Sequence, residues 1–253
     1  MLPQKNNQDL SSELDIKNAH DHLFRESMQD IDIARQLASI SLPSTIQSRI
    51  DWETLEIIKE TWINENLKEH RADAIYRVKI LQNDQWVFLL FEHKSSPDRK
   101  VHAQLLRYIV DIWEQHEKQK WPGDFYPLVI PIVICHCNSP CKFDNSIKAN
   151  IAIIEGTEDV IPDFSFFKLD LWFLEPEQFG DSKLKVLLLA LKYSRSPDVL
   201  STLPQIIRIS EKVQKTQNSD YDYLKVVLLY LVSVINKGLT DRFWDIVARE
   251  HSG

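Results

Sequence analysis

Two runs of alternating, largely apolar residues, Asp73-Ala74-Ile75-Tyr76-Arg77-Val78-Lys79-Ile80 and Gln85-Trp86-Val87-Phe88-Leu89-Leu90-Phe91-Glu92, flank the polar stretch Gln82-Asn83-Asp84. This pattern predicts a β-hairpin with its turn at the polar stretch. A turn centred near Gln82-Asn83 sets Asp73 across from Glu92 at the open end of the hairpin. Side chains alternate along a strand, so Lys94 shares the face of Glu92 and His93 points to the other. An Asp, a Glu and a Lys therefore converge on one patch.

Two carboxylates held close together repel each other. A divalent ion such as Mg²⁺, which takes oxygen ligands and keeps several waters, relieves that repulsion. Such an ion also holds a phosphate oxygen and acidifies bound water, while a nearby lysine orients that water and offsets charge growing on phosphorus. This is the chemistry of phosphodiester hydrolysis. The bland alternative makes Asp73 a surface strand start and Glu92-Lys94 an ion pair worth little.

Composition narrows the class. With 253 residues, 43% of them hydrophobic, the chain can bury a sizeable core. Three cysteines give no disulfide framework and fit a reducing compartment. The apolar stretches Val226 to Ile235 and Pro127 to Cys135 are too short for a bilayer, and the polar N-terminus has no signal-peptide apolar region. A cytoplasmic protein without membrane attachment is the expectation. Five glycines, none in a phosphate-cradling loop, argue against dinucleotide enzymes and nucleoside triphosphatases.

The net charge of −7 speaks against a wholly basic nucleic-acid surface. From Pro176 onward, eleven Lys and Arg meet nine Asp and Glu, so the acidic excess lies in the preceding part. Any phosphate-tracking surface is then local, with Arg71, Arg77, Lys79, Lys94, Arg99, Lys100 and Arg107 flanking the hairpin.

Along the chain, residues 1–18 read as a loose tail. Helical spacing predicts a helix from Asp21 to Ala38, and Ile50 to Ile58 is ambiguous. A further helix is expected from Arg99 to Lys120, with Val101, Leu105, Tyr108, Ile109, Ile112 and Trp113 on one face. Leu128 to Cys135 reads as a buried or bulged strand interrupted by Pro131, and Phe167 to Leu174 as another. Helices are expected at Ser182 to Tyr193, Pro197 to Gln217, Tyr221 to Asn236 and Thr240 to Ala248. This order divides the chain into a core over 19–176 and a helical subdomain over 177–253.

The order helix, hairpin, helix, strand, with Glu-x-Lys closing the second arm, resembles the PD-(D/E)xK nuclease superfamily. Several ordered motifs more closely resemble the Rpn family, recombination-promoting nucleases also labelled YhgA-like transposases. They are His20-Asp21-His22-Leu23-Phe24-Arg25; Leu42-Pro43; Arg71-Ala72-Asp73-Ala74-Ile75-Tyr76-Arg77-Val78; Phe88-Leu89-Leu90-Phe91-Glu92-His93-Lys94-Ser95-Ser96; Leu105-Leu106-Arg107-Tyr108; and Pro127-Leu128-Val129-Ile130-Pro131. The resemblance covers roughly residues 19 to 200.

The resemblance implies an α/β fold with a restriction-endonuclease-like core, a mixed central sheet flanked by helices, and a C-terminal helical subdomain. It also implies Mg²⁺-dependent cleavage of DNA and a role in DNA recombination or mobile elements. Asp73 and Glu92 map onto metal-binding acids and Lys94 onto the superfamily's catalytic lysine, where many Rpn relatives carry Gln. Gln104 and Tyr108 match a Gln-x-x-x-Tyr helix that borders the site in some branches, or else simply pack on the sheet. Asp21 reaches the site from the first helix, or else is a cap or a solvated charge. Oligomeric state, including a homo-oligomer, stays open.

The chain departs from relatives in two places. Cys135-His136-Cys137 stands where relatives tend to have Tyr-His-Gly, and no long charged C-terminal tail follows. Cys135, Cys137 and Cys141 invite a zinc reading, but paired Cys-x-x-Cys knuckles are missing and buried thiols are the ordinary case. Two functions from different classes remain: a metal-dependent DNA endonuclease, and a catalytically silent DNA- or protein-binding module on the same fold.

Overall fold

The structure, a computed structural model, describes residues 18–58, 72–82, 85–120, 125–217 and 222–251. Residues 1–17 of the expected N-terminal tail, Arg71 and the hairpin positions Asn83 and Asp84 lie outside them, while residue 18 already belongs to a helix. The chain divides into an α/β unit over residues 28–170 and a helical unit that joins the segment ending at Ser27 to everything from Leu171 onward. The sequence placed its division near Pro176 to Gly180.

The α/β unit holds a five-stranded sheet: β1 (Ile50–Ile57), β2 (Ala74–Ile80), β3 (Trp86–Lys94), β4 (Leu128–Cys135) and β5 (Phe167–Asp170), in spatial order β1-β2-β3-β4-β5. Strands β1, β2 and β3 pair antiparallel, whereas β3-β4 and β4-β5 are parallel. Parallel neighbours need a long crossover, and between β3 and β4 it is a helix, Val101–Lys118.

The hairpin register is the one expected from the sequence. Ala74 faces Phe91, Ile75 faces Leu90 and Tyr76 faces Leu89. Ile75, Phe88 and Leu90 join Val101, Leu105, Tyr108, Ile109 and Ile112 of the crossover helix in one core. On the opposite face Tyr76 donates its hydroxyl to the Met28 carbonyl at 2.5 Å and meets Phe91 edge-on, with ring centroids 6.0 Å apart.

Two sequence expectations need correction, and two readings left open are decided by the backbone. The single helix over Asp21 to Ala38 is two, residues 18–27 and Ile31–Ser41, because Asp30 adopts an extended backbone and caps the second through the N–H groups of Asp32 and Ile33. The ambiguous Ile50 to Ile58 is β1, whose alternation is broken by a register shift between Asp51 and Glu56. There the Thr54 hydroxyl accepts the Lys79 N–H at 2.9 Å. Pro131 makes no bulge: it sits opposite Leu90 in an unbroken ladder, and β5 pairs only from Ile132, so β4 is an edge where Pro131 lacks its N–H. The strand expected over Phe167 to Leu174 stops at Asp170, after which the chain turns.

The helical unit contains Lys183–Tyr193, Val199–Gln217, Tyr223–Val234 and Thr240–His251. Lys183–Tyr193 is buried all round, from Leu184 through Leu191, as a central helix must be. Residues 18–27 join this bundle through side-chain hydrogen bonds. His20 Nε2 accepts from Arg195 at 3.1 Å, which leaves the ring proton on Nδ1 for the 2.6 Å contact with the Tyr230 hydroxyl. Ser27 meets Tyr223 at 2.8 Å. Among the described residues no helix is long and apolar enough to cross a membrane.

Candidate functional site

Strand parity builds the site. Phe88 and Leu90 point into the core beneath the crossover helix, so Glu92 and Lys94, two and four residues on, continue that face beyond the apolar part. Asp73 stands one step outside the last ladder pair, level with Glu92. Its Oδ2 accepts the His93 backbone N–H at 2.7 Å, which fastens it to the neighbouring strand. Both acids are buried, Asp73 to 8% exposure and Glu92 to 3%.

Lys94 fills the space between acids and helix. Its ammonium lies 3.0 Å from Glu92 Oε1, 2.6 Å from Gln104 Oε1 and 3.2 Å from Asp98 Oδ2. Gln104, in the first turn of the crossover helix, returns from its Nε2 to Glu92 Oε1 at 2.8 Å and to the Tyr108 hydroxyl at 2.7 Å. The i, i+4 spacing of Gln104 and Tyr108 brings both to this face. Glu92 Oε1 thus has two donors, while Glu92 Oε2 is buried with none.

The charges respond to this crowding. Burial, and then the negative charge of Asp73, push the Glu92 carboxyl up to about 8, against the opposing pull of Lys94 and Gln104. Burial pulls the Lys94 ammonium down, but Glu92 and Asp98 together outweigh it and hold the group above its ordinary value. The site therefore holds one carboxyl that resists ionisation and one firmly charged lysine.

Asp98 is the residue that the sequence reading missed. The visible signal was an acid four positions after Lys94, across the Ser95-Ser96-Pro97 turn. Asp21 lies on the 18–27 helix of the helical unit, not on the α/β unit. His93 points away from Glu92 and stacks on His136, with centroids 5.8 Å apart. Cys135, Cys137 and Cys141 are buried free thiols, and among the described residues no group of three or more His, Cys, Asp or Glu is arranged to hold a metal ion. The zinc reading has no support there. Any cation at Asp73 and Glu92 would rest on two carboxylates and otherwise on water or backbone oxygen.

A family model described as "Putative transposase, YhgA-like" matches residues 18–220. The chain belongs to this family. Among curated proteins, the YhgA-like chain is 25% identical over 200 residues to the recombination-promoting nuclease RpnC of Escherichia coli (strain K12), a match covering 76% of this chain and 64% of RpnC. It is 26% identical over 117 residues to RpnA of the same organism, covering 46% of this chain and 39% of RpnA. It is also 25% identical over 125 residues to RpnE, named an inactive recombination-promoting nuclease-like protein, covering 49% of this chain and 41% of RpnE. The chain thus spans less than two thirds of each of these relatives. No solved structure matches it.

Proposed function

We propose that this YhgA-like protein is a divalent-metal-dependent DNA endonuclease acting in DNA recombination, with Asp73 and Glu92 as the metal-holding acids and Lys94 as the catalytic lysine. The observation that carries this reading is Glu92 Oε2, a buried carboxylate oxygen with no hydrogen-bond partner beside a second carboxylate. A buried, unpartnered carboxylate oxygen is costly unless something neutralises it, and a hard cation such as Mg²⁺ is the fitting partner for oxygen donors. When bound, that ion supplies Lewis-acid stabilisation to the phosphoryl group and acidity to water.

The chain's own residues do the rest. Asp73, fastened to the His93 N–H, fixes the spacing between the acids. Lys94, charged and aimed by Gln104, offsets negative charge growing on phosphorus. Gln104, itself bonded to Tyr108, and Lys94 keep Glu92 Oε1 occupied, which leaves Oε2 as the available metal ligand. Arg99, Lys100 and Arg107 are exposed on the turn and helix that follow β3 and give a phosphate backbone a local basic border. Arg77 is less available, because it pairs with Glu56 and lies over the Trp86 ring at 4.4 Å.

The family relationship supports the same reading, since RpnC and RpnA are named recombination-promoting nucleases. The second reading, a silent DNA- or protein-binding module, is favoured by the likeness to RpnE, which is named inactive. Supercoiled plasmid incubated with purified protein separates the two. Conversion to nicked or linear DNA in Mg²⁺ that stops with a chelator is expected, and no conversion with any divalent cation contradicts the nuclease reading.

A further inference from the structure

We infer that Asp98 is a built-in placeholder for the substrate phosphate: it occupies the Lys94 ammonium in the free protein and yields that position to a phosphodiester oxygen. The inference rests on the nuclease reading and deepens it. A lysine ammonium has three protons, and Lys94 has three acceptors: Glu92, Gln104 and Asp98. The side chain is only 12% exposed, so an unfilled proton there would be costly. A phosphate that engages Lys94 must therefore displace one of the three.

Two of them are held in place. Glu92 has a side chain 4% exposed and belongs to the carboxylate pair. Gln104 is pinned by its amide nitrogen to both Glu92 and Tyr108. Asp98 differs in kind. Its side chain is 33% exposed and sits on the turn between β3 and the crossover helix. Its two oxygens have separate tasks, because Oδ1 accepts the Lys100 N–H at 2.9 Å while Oδ2 faces Lys94. Oδ2 can release the ammonium while Oδ1 keeps the turn in place. Arg99 and Lys100, both exposed, follow directly and offer an incoming anion a second attraction.

Asp98 is thus a positioning residue that holds Lys94 ready and sets a threshold for anion entry. Asp98→Asn removes the charge while keeping an oxygen for the turn, and Asp98→Glu restores the charge. A short fluorescent duplex titrated in Ca²⁺ reads binding by anisotropy, without depending on turnover. Asp98→Asn is expected to bind about fivefold tighter, the scale of one exposed ion pair, and Asp98→Glu close to the unsubstituted protein. The gain should vanish in a Lys94→Met background, where Asp98→Asn changes nothing further. On plasmid in Mg²⁺, Asp98→Asn should lower KM without raising kcat. An equal gain with and without Lys94, or no gain at all, overturns the placeholder and leaves the nuclease reading standing. Loss of all cleavage by the unsubstituted protein overturns the nuclease reading, while the binding cycle still reports on Asp98.

Discussion

The Asp73 carboxylate accepts the His93 backbone N–H at 2.7 Å, so the acid that precedes β2 is fastened to the backbone between Glu92 and Lys94. This bond serves both stability and site geometry. Replacing Asp73 with Ala leaves the His93 N–H without that acceptor and is expected to cost about 1–3 kcal/mol of stability. Asp73→Asn keeps an oxygen in place and should cost less. Urea unfolding of the two variants, with equal losses, would show that the bond is unimportant.

Glu92 makes stability fall with rising pH in the absence of a cation. Its carboxyl is raised in the folded state from an ordinary 4.5 to about 8. The folded chain then holds a proton that the unfolded chain has released, so the contribution is full below about 4.5 and is lost as pH climbs through about 8. Glu92→Gln should remove this slope and be relatively more stable at pH 8 than at pH 5. Thermal melts across that range check it, and parallel curves for parent and variant would contradict it.

The same raised carboxyl couples cation binding to proton release. At pH 7 a cation that needs ionised Glu92 must expel a proton. Mn²⁺ titrations by calorimetry in buffers of different ionisation heat should show release approaching one proton, and near none in Glu92→Gln. Binding without release in the parent would place the cation elsewhere.

Gln104→Leu removes the link between Glu92, Lys94 and Tyr108 at nearly constant volume. Loss of such an orienting partner is expected to weaken cation affinity or cleavage by about ten- to a hundredfold. An unchanged value would reduce Gln104 to packing.

Lys94→Gln should keep the fold, since Gln still reaches hydrogen-bonding partners, while lowering kcat. It also removes the positive charge that opposes the rise of the Glu92 carboxyl, so the pH at which cleavage sets in should move upward. A pH–rate profile of the same shape as the parent's would show that Lys94 does not act on Glu92.

The parts of the site written into local pattern were legible in the sequence. Hairpin register with strand parity brings Asp73, Glu92 and Lys94 to one face. Helical spacing likewise put Gln104 and Tyr108 on one helix face. Features decided by backbone breaks were not legible. The predicted helix ran unbroken from Asp21 to Ala38, and only the extended conformation of Asp30 showed that a second helix starts there. The register shift in β1 broke the alternation that would have marked a strand. Asp98 escaped notice because its meeting with Lys94 depends on the path of the intervening turn. The union of residues 18–27 with the C-terminal helices, through His20 and Tyr230, is set by contacts 210 positions apart that no local pattern encodes.

Cleavage of supercoiled plasmid in Mg²⁺ by the unsubstituted protein, beside Asp73→Ala and Glu92→Ala, tests the two-acid site most directly. Cleavage by the unsubstituted protein and its loss in both variants is the predicted result. Equal cleavage by all three, or cleavage by none, would contradict it.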